Sequence, residues 1–131
     1  MKKGRVGGLK KCRHRAYSGT GRTHSVDLVR VDYNEGMIIH TFAFRWKKGV
    51  SESQKLRAIA EIRKLQGQIP GLLETCVGAN FSPRSQGYEL GGVMKFTDRS
   101  ALEAYGGHPI HQQLLQWLMP LIDPVEVDFE A

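Results

Sequence analysis

The chain has 131 residues and a formal net charge of +6, with 40% hydrophobic and 24% charged residues. That length fits one domain, alone or with a tail, and the composition is ordinary for a globular chain. No apolar run approaches the roughly 20 residues of a membrane-spanning helix, and two cysteines are too few for a disulfide framework or a four-thiolate zinc site. A reducing, cytoplasmic location is the default expectation.

The positive charge is concentrated in residues 1–36. These residues carry nine lysines and arginines against three acidic residues, whereas residues 37–131 carry ten of each kind. Because binding to nucleic acid requires a basic face on the folded domain, the neutral body argues against nucleic acid as a partner.

The basic segment is rich in glycine and poor in large apolar residues, which predicts disorder at least through Ser25. Three interpretations stay open: a flexible arm that touches phosphates weakly, a targeting segment similar to a transit peptide, or an extension without function. Met37 begins the first convincing strand, which favours the third. The predicted organisation is therefore a tail over 1–36 and a folded domain over 37–131.

Strand and helix signals alternate from Met37 onward. Apolar and β-branched residues predict strands at 37–46, 72–81, 88–97 and 125–129. Ser51 and Gln54 form a capping box ahead of a helical repeat that stops near Gly67. Asp98 is expected to cap a short second helix, and Pro109 to begin a third. The resulting order is β-α-β-β-α-β, the ferredoxin-like α+β fold.

The first predicted strand is apolar on both of its faces. Phe42, Phe44 and Trp46 point to one side, whereas Ile39 and Ala43 point to the other. Helices can cover only one face of such a sheet, so a monomer would expose a large apolar patch. Two copies packed sheet against sheet would bury the patch and enclose a cavity. The sequence therefore predicts a homodimer.

A series of short motifs spans the folded part. They are Ile39-His40-Thr41-Phe42-Ala43-Phe44, Gly49-Val50-Ser51, Ile69-Pro70-Gly71, Ser85-Gln86-Gly87-Tyr88, Ala104-Tyr105, His108-Pro109-Ile110-His111 and Val127-Asp128-Phe129. By their order and spacing, residues 37–131 resemble the stress-responsive A/B barrel family of dimeric α+β barrel proteins. The resemblance implies a dimeric α/β barrel built on the ferredoxin-like fold.

The resemblance also implies a chemistry. The olivetolic acid cyclase branch of the family closes a linear poly-β-ketoacyl thioester by aldol condensation, without metal or cofactor. Carried onto this sequence, the general base is His111 and the assisting phenol is Tyr105. The implied substrate-binding residues are His40, Phe42, Leu90 and His108. At Leu90 the chain departs from the branch, which has a histidine there.

The residue types suit that chemistry. An imidazole with a pKa near 6.5 can take a proton from carbon activated by carbonyl groups, and a phenol can stabilise the enolate oxygen. His111 falls in the first turn of a helix, where the helix dipole should lower its pKa, and it shares a side with Leu115 and Leu118. The alternatives are a bracing role for His108 and satisfied, non-reactive pocket histidines at positions 40 and 111. Because no carboxylate falls at ligand spacing, a metal site formed by the three histidines is not expected.

Two functions follow from these observations. The first is a cofactor-independent enzyme that abstracts a proton from an activated carbonyl compound, with an acyl or polyketide-like substrate. The second is a non-catalytic homodimer that binds a small molecule or is associated with stress. A cofactorless monooxygenase fits the predicted topology but not the motif that contains His108 and His111. An open cavity shared by His111 and Tyr105 would favour the enzyme.

Overall fold

The computed structural model describes residues 36–131, where four strands and three α-helices follow the predicted order. The elements are β1 (Ile38–Trp46), α1 (Glu52–Arg63), β2 (Leu72–Ala79), β3 (Leu90–Phe96), α2 (Arg99–Gly107), α3 (Pro109–Leu118) and β4 (Ile122–Glu130). The basic tail predicted over 1–36 lies outside the described residues except for Gly36. No helix in this part of the chain is long and apolar enough to cross a membrane.

The strands form one antiparallel sheet in the order β2-β3-β1-β4. β1 therefore lies inside the sheet, and β4 forms one of its edges. This is the ferredoxin-like α+β fold predicted from the sequence.

Local sequence signals begin the helices where they were predicted. Ser51 and Gln54 form a reciprocal capping box at α1, and the Asp98 carboxylate accepts a hydrogen bond from the Ala101 N–H at 2.8 Å. Pro109 occupies the first turn of α3. These contacts satisfy backbone N–H groups that have no partner within a helix, so they fix where each helix starts.

The helices cover one face of the sheet, and the core lies between the two layers. In β1 the buried side chains are those of Ile38, His40, Phe42 and Phe44, whereas the intervening positions through Ala43 are partly exposed. In β4 every position after Ile122 is exposed, and Val125, Val127 and Phe129 pair with β1 on the uncovered face. These three β4 side chains are 42–57% exposed, so the uncovered face is apolar.

Two strands differ from their predicted form. A bulge between Leu72 and Glu74 leaves Leu73 half-exposed, so Leu73 does not share the buried face of Thr75 and Val77 as a strict alternation along the strand would place it. β4 begins at Ile122, ahead of the predicted start at 125, and it includes Pro124. An edge strand accepts proline because one side of its backbone has no strand partner.

Gly92 positions the centre of β3 against β1. Its Cα faces Phe42 across the strand pair, and a Cβ at this position would overlap the Phe42 ring. A glycine within a strand often marks such a close approach, and at Gly92 the approach is to the Phe42 ring. The close approach lets the Phe42 ring lie over β3 and form part of the cavity floor described next.

Candidate active site

A cavity of about 160 Å³ lies between the sheet and helices α2 and α3. Its floor is apolar and is formed mainly by Phe42, Phe44, Ile62, Met94, Leu114, Leu118 and Ile122. Its polar groups are those of His40, Tyr105, His111, Glu126 and Asp128. An apolar cavity of about 150 Å³ accommodates a benzene molecule, so this one has room for a single six-membered ring.

His40 is held from the neighbouring edge strand. Its Nδ1 atom lies 2.5 Å from Oδ1 of Asp128, its direct partner in the β1–β4 register. Because a carboxylate oxygen only accepts hydrogen bonds, Nδ1 is the donor, and in the neutral ring Nε2 is then the acceptor. The ring is buried and lies 6.1 Å from the Tyr105 ring, centroid to centroid.

Tyr105 and His111 form a stacked pair. Their ring centroids are 4.0 Å apart and the ring planes differ by 28°. Tyr105 belongs to the last turns of α2 and His111 to the first turn of α3, and His108 links the two helices. The His108 N–H donates to the Tyr105 carbonyl, and its Nδ1 accepts from the Ile110 N–H at 3.2 Å. His108 thus fixes the junction that brings the two rings together.

Hydrogen bonding selects one tautomer of His111. Its Nδ1 lies 3.2 Å from the carbonyl oxygen of Gly106. A carbonyl can only accept, so Nδ1 carries the proton and Nε2 of the neutral ring retains its lone pair. Among residues 36–131, no group hydrogen-bonds the Tyr105 hydroxyl. The pair therefore offers one basic nitrogen and one phenol without a protein partner in the described region.

The surroundings favour the neutral form of both rings. Burial lowers the pKa of His111 from its ordinary value of 6.5; the backbone carbonyls of Gly106 and Tyr105 and the charge of Glu126 act in the opposite direction. Burial, and secondarily the charge of Glu126, raises the pKa of Tyr105 well above its ordinary value. The sequence predicted a lowered pKa for His111 from the helix dipole, but the main cause is burial. At neutral pH the site therefore holds a neutral imidazole beside a protonated phenol.

The cavity includes four of the six residues that the sequence placed at the site. His40, Phe42, Tyr105 and His111 line it together. The other two, Leu90 and His108, lie outside the cavity lining.

Leu90 is almost wholly buried in the core at the start of β3, beside Ala79 and Phe44 in the strand register. The His108 ring nitrogen is occupied as the cap of α3, which is the bracing role considered from the sequence. Neither residue lines this cavity, and their expected roles in substrate binding stay predictions.

Two carboxylates of the cavity were not predicted from the sequence as site residues. Glu126 and Asp128 alternate with Val125, Val127 and Phe129, a pattern that indicates only a half-exposed strand. The pairing of β4 with β1 turns these acidic side chains toward the helix layer, beside Phe42 and His40. Within residues 36–131, no group of three or more His, Cys, Asp or Glu side chains has a geometry that could hold a metal ion.

Comparison with known proteins places the fold in context. The family model described as "Stress responsive A/B Barrel Domain" matches residues 38–131. A dimeric ferredoxin-like protein of unknown function from Thermobifida fusca is 30% identical, with a TM-score of 0.67; the match covers 82% of this chain and 100% of that one. A search of proteins with curated functions finds no match.

Two enzymes share the fold at lower identity. Hydroxynitrile lyase from Passiflora edulis is 19% identical, with a TM-score of 0.68, over 73% of this chain and 94% of the lyase. SnoaB, a cofactor-independent oxygenase from Streptomyces nogalater, is 14% identical, with a TM-score of 0.59, over 72% and 92% of the two chains. At these identities the likeness concerns the fold alone.

Proposed function

The chain belongs to the stress-responsive A/B barrel domain family, and from the geometry of its cavity we propose that it is a general acid–base enzyme acting on a compact carbonyl compound. The observation that carries the proposal is the stacked pair of Tyr105 and His111 on the wall of a ring-sized cavity. Two proteins of the same fold are a lyase and an oxygenase by name, which supports a catalytic use of this architecture.

In the proposed reaction, Nε2 of His111 takes a proton from the carbon next to a carbonyl group. The electron pair of the broken C–H bond forms an enolate, and the Tyr105 hydroxyl donates a hydrogen bond to its oxygen. The enolate carbon attacks a second carbonyl of the same molecule, and protonated His111 returns the proton to the new alkoxide. This aldol closure needs no redox step, and the six-membered ring that it can form matches the cavity in size.

We also propose that the active form is a homodimer joined through the uncovered sheet face. That face carries Val125, Val127 and Phe129 at 42–57% exposure, next to Ile39 and Ala43 of β1. Contiguous apolar surface of this kind is characteristic of protein interfaces. The related protein from Thermobifida fusca is described as dimeric, which supports the same assembly here.

The catalytic proposal can be tested without knowing the natural substrate. Cyclohexanone is a neutral six-membered ketone, and loss of its α-proton signal in D2O can be followed by NMR. The wild-type protein should accelerate this exchange, and His111→Ala should reduce the enzymatic part by about 10²–10⁴-fold, the usual contribution of a general base. Tyr105→Phe should reduce it less, because the base remains.

The control variant is Gln113→Ala, on the same helix but outside the cavity lining. It should exchange the probe at the wild-type rate. Wild-type protein that leaves the exchange rate unchanged, or equal rates for wild type and His111→Ala, would contradict the catalytic proposal. Such a result with retained ring binding would support the non-catalytic binding function instead.

A further inference from the structure

The formal charge at the cavity lining is negative. Its described lining includes the carboxylates of Glu126 and Asp128 but no lysine or arginine. Asp128 is bonded to His40, whereas Glu126 forms no salt bridge within residues 36–131. One carboxylate at the cavity is therefore left for a ligand.

Glu126 lies close enough to Tyr105 and His111 for its charge to act on both side chains. Glu126 is the β1–β4 register partner of Phe42, so it lies at the edge of the apolar floor. Its negative charge raises the pKa of Tyr105 and acts in the same direction on the pKa of His111, where burial outweighs it. A ligand ring over Phe42 would consequently place a polar substituent within the field of Glu126.

We propose that the cavity selects a compact ring compound carrying a hydroxyl or ammonium group directed at Glu126, and that Glu126 excludes carboxylates and phosphates. The inference rests on the proposed function only in assigning the ligand to the same cavity. The apolar floor supplies affinity for the ring, and Glu126 sets the preferred charge. Repulsion between like charges grows as they approach, so an anionic substituent directed at Glu126 is disfavoured.

The test compares benzylamine, benzyl alcohol and benzoate, which share one ring and differ in charge. Their affinities for the full chain are measured by isothermal titration calorimetry at neutral pH and low salt. Benzylamine should bind most tightly, benzyl alcohol next, and benzoate at least about tenfold more weakly than benzylamine. Benzoate binding as tightly as benzylamine, or no binding by any of the three, would overturn the inference.

Variants assign the preference to one residue. Glu126→Gln should bring the affinities for benzylamine and benzoate close together, and Glu126→Lys should reverse their order. Glu103→Gln is the matched control, because Glu103 is an exposed acidic residue of α2 outside this cavity lining. It should keep the wild-type order. A preference for benzylamine that survives Glu126→Lys would overturn the role of Glu126.

These binding measurements are independent of turnover. If the preference for benzylamine holds but cyclohexanone exchange is not accelerated, only the catalytic proposal fails. If exchange depends on His111 while benzoate binds as tightly as benzylamine, only the ligand class proposed here fails.

Discussion

His40 Nδ1 and Asp128 Oδ1 lie 2.5 Å apart, although 88 residues separate them in the sequence. The contact results from the antiparallel pairing of β1 with β4, in which His40 and Asp128 are direct partners. It orients a buried imidazole at the cavity and determines which ring nitrogen can accept a hydrogen bond. The two elements at opposite ends of the domain thus combine to build one wall of the site.

Asp128→Asn should lower the free energy of unfolding by about 1 kcal/mol. The variant replaces a hydrogen bond to a charged group by a neutral one, and the 44% exposure of the Asp128 side chain reduces the effect. Urea denaturation measures the change. Glu130→Gln is the control, because Glu130 lies on the same face of β4 in an exposed pair with Arg99. It should change stability by less than about 0.5 kcal/mol, and an equal loss in both variants would contradict a special role for the His40 contact.

The ionisation of His111 should couple to folding in mildly acidic solution. Burial lowers its pKa in the folded state, so the unfolded chain binds the proton at a higher pH. The stability linked to His111 is therefore complete above the ordinary value of 6.5 and is lost as the pH falls through that value toward the lowered pKa.

This pH dependence can be measured on the folded protein and on a variant. NMR titration should place the midpoint of the His111 ring protons below 6.5. Between about pH 7.5 and about pH 5.5, His111→Gln should lose less stability than the wild type. A midpoint at or above 6.5 would show that the carbonyls of Gly106 and Tyr105, with Glu126, outweigh burial.

Thr75→Val should leave stability unchanged or raise it by about 1 kcal/mol. Thr75 is buried, and its hydroxyl has no hydrogen-bond partner among the described residues. Valine has nearly the same shape and removes the unsatisfied group. The Thr75 N–H donates to the Gln66 side chain at 2.8 Å, and this bond is retained in the variant. Thermal and urea denaturation test the expectation, and a loss above about 1 kcal/mol would be inconsistent with it.

Val127→Asp should convert the proposed dimer to a monomer. Val127 is 57% exposed on the uncovered face of the edge strand β4, where a buried, unpaired carboxylate would be costly in a dimer. Sedimentation velocity at micromolar concentration measures the change. Gln113→Asp, on the outer side of α3, should remain dimeric. A wild-type protein that sediments as a monomer would contradict the proposed interface.

Local signals in the sequence predict most of the fold. The capping box of Ser51 and Gln54 and the proline at position 109 satisfy or remove backbone N–H groups within one turn, so they can be identified without any tertiary contact. The bulge at Leu72 is harder to predict, because it depends on how β2 pairs with β3. One inserted position was enough to turn Leu73 out of the core.

The candidate site is predictable only in part for the same reason. Tyr105 and His111 lie within one motif, so their proximity follows from a short helix–helix junction. Glu126 and Asp128 join the cavity through the register of β4 on β1, and the alternation within β4 does not specify which face meets the helices. The resemblance implies a role for Leu90 in substrate binding, and its side chain is buried in the core at the start of β3.

The position of β1 between β3 and β4 has a consequence for the order of folding. β1 comes first among the described elements, and β4 comes last, so the inner strand of the sheet is completed only by the final segment. Until β4 adds, β1 presents a free hydrogen-bonding edge next to an apolar face, which is a template for association with other chains. A chain in which β4 has not yet docked also lacks the acidic wall that Glu126 and Asp128 contribute to the cavity. Partially folded molecules would be prone to aggregate and would lack a complete site, because both properties depend on the docking of one strand.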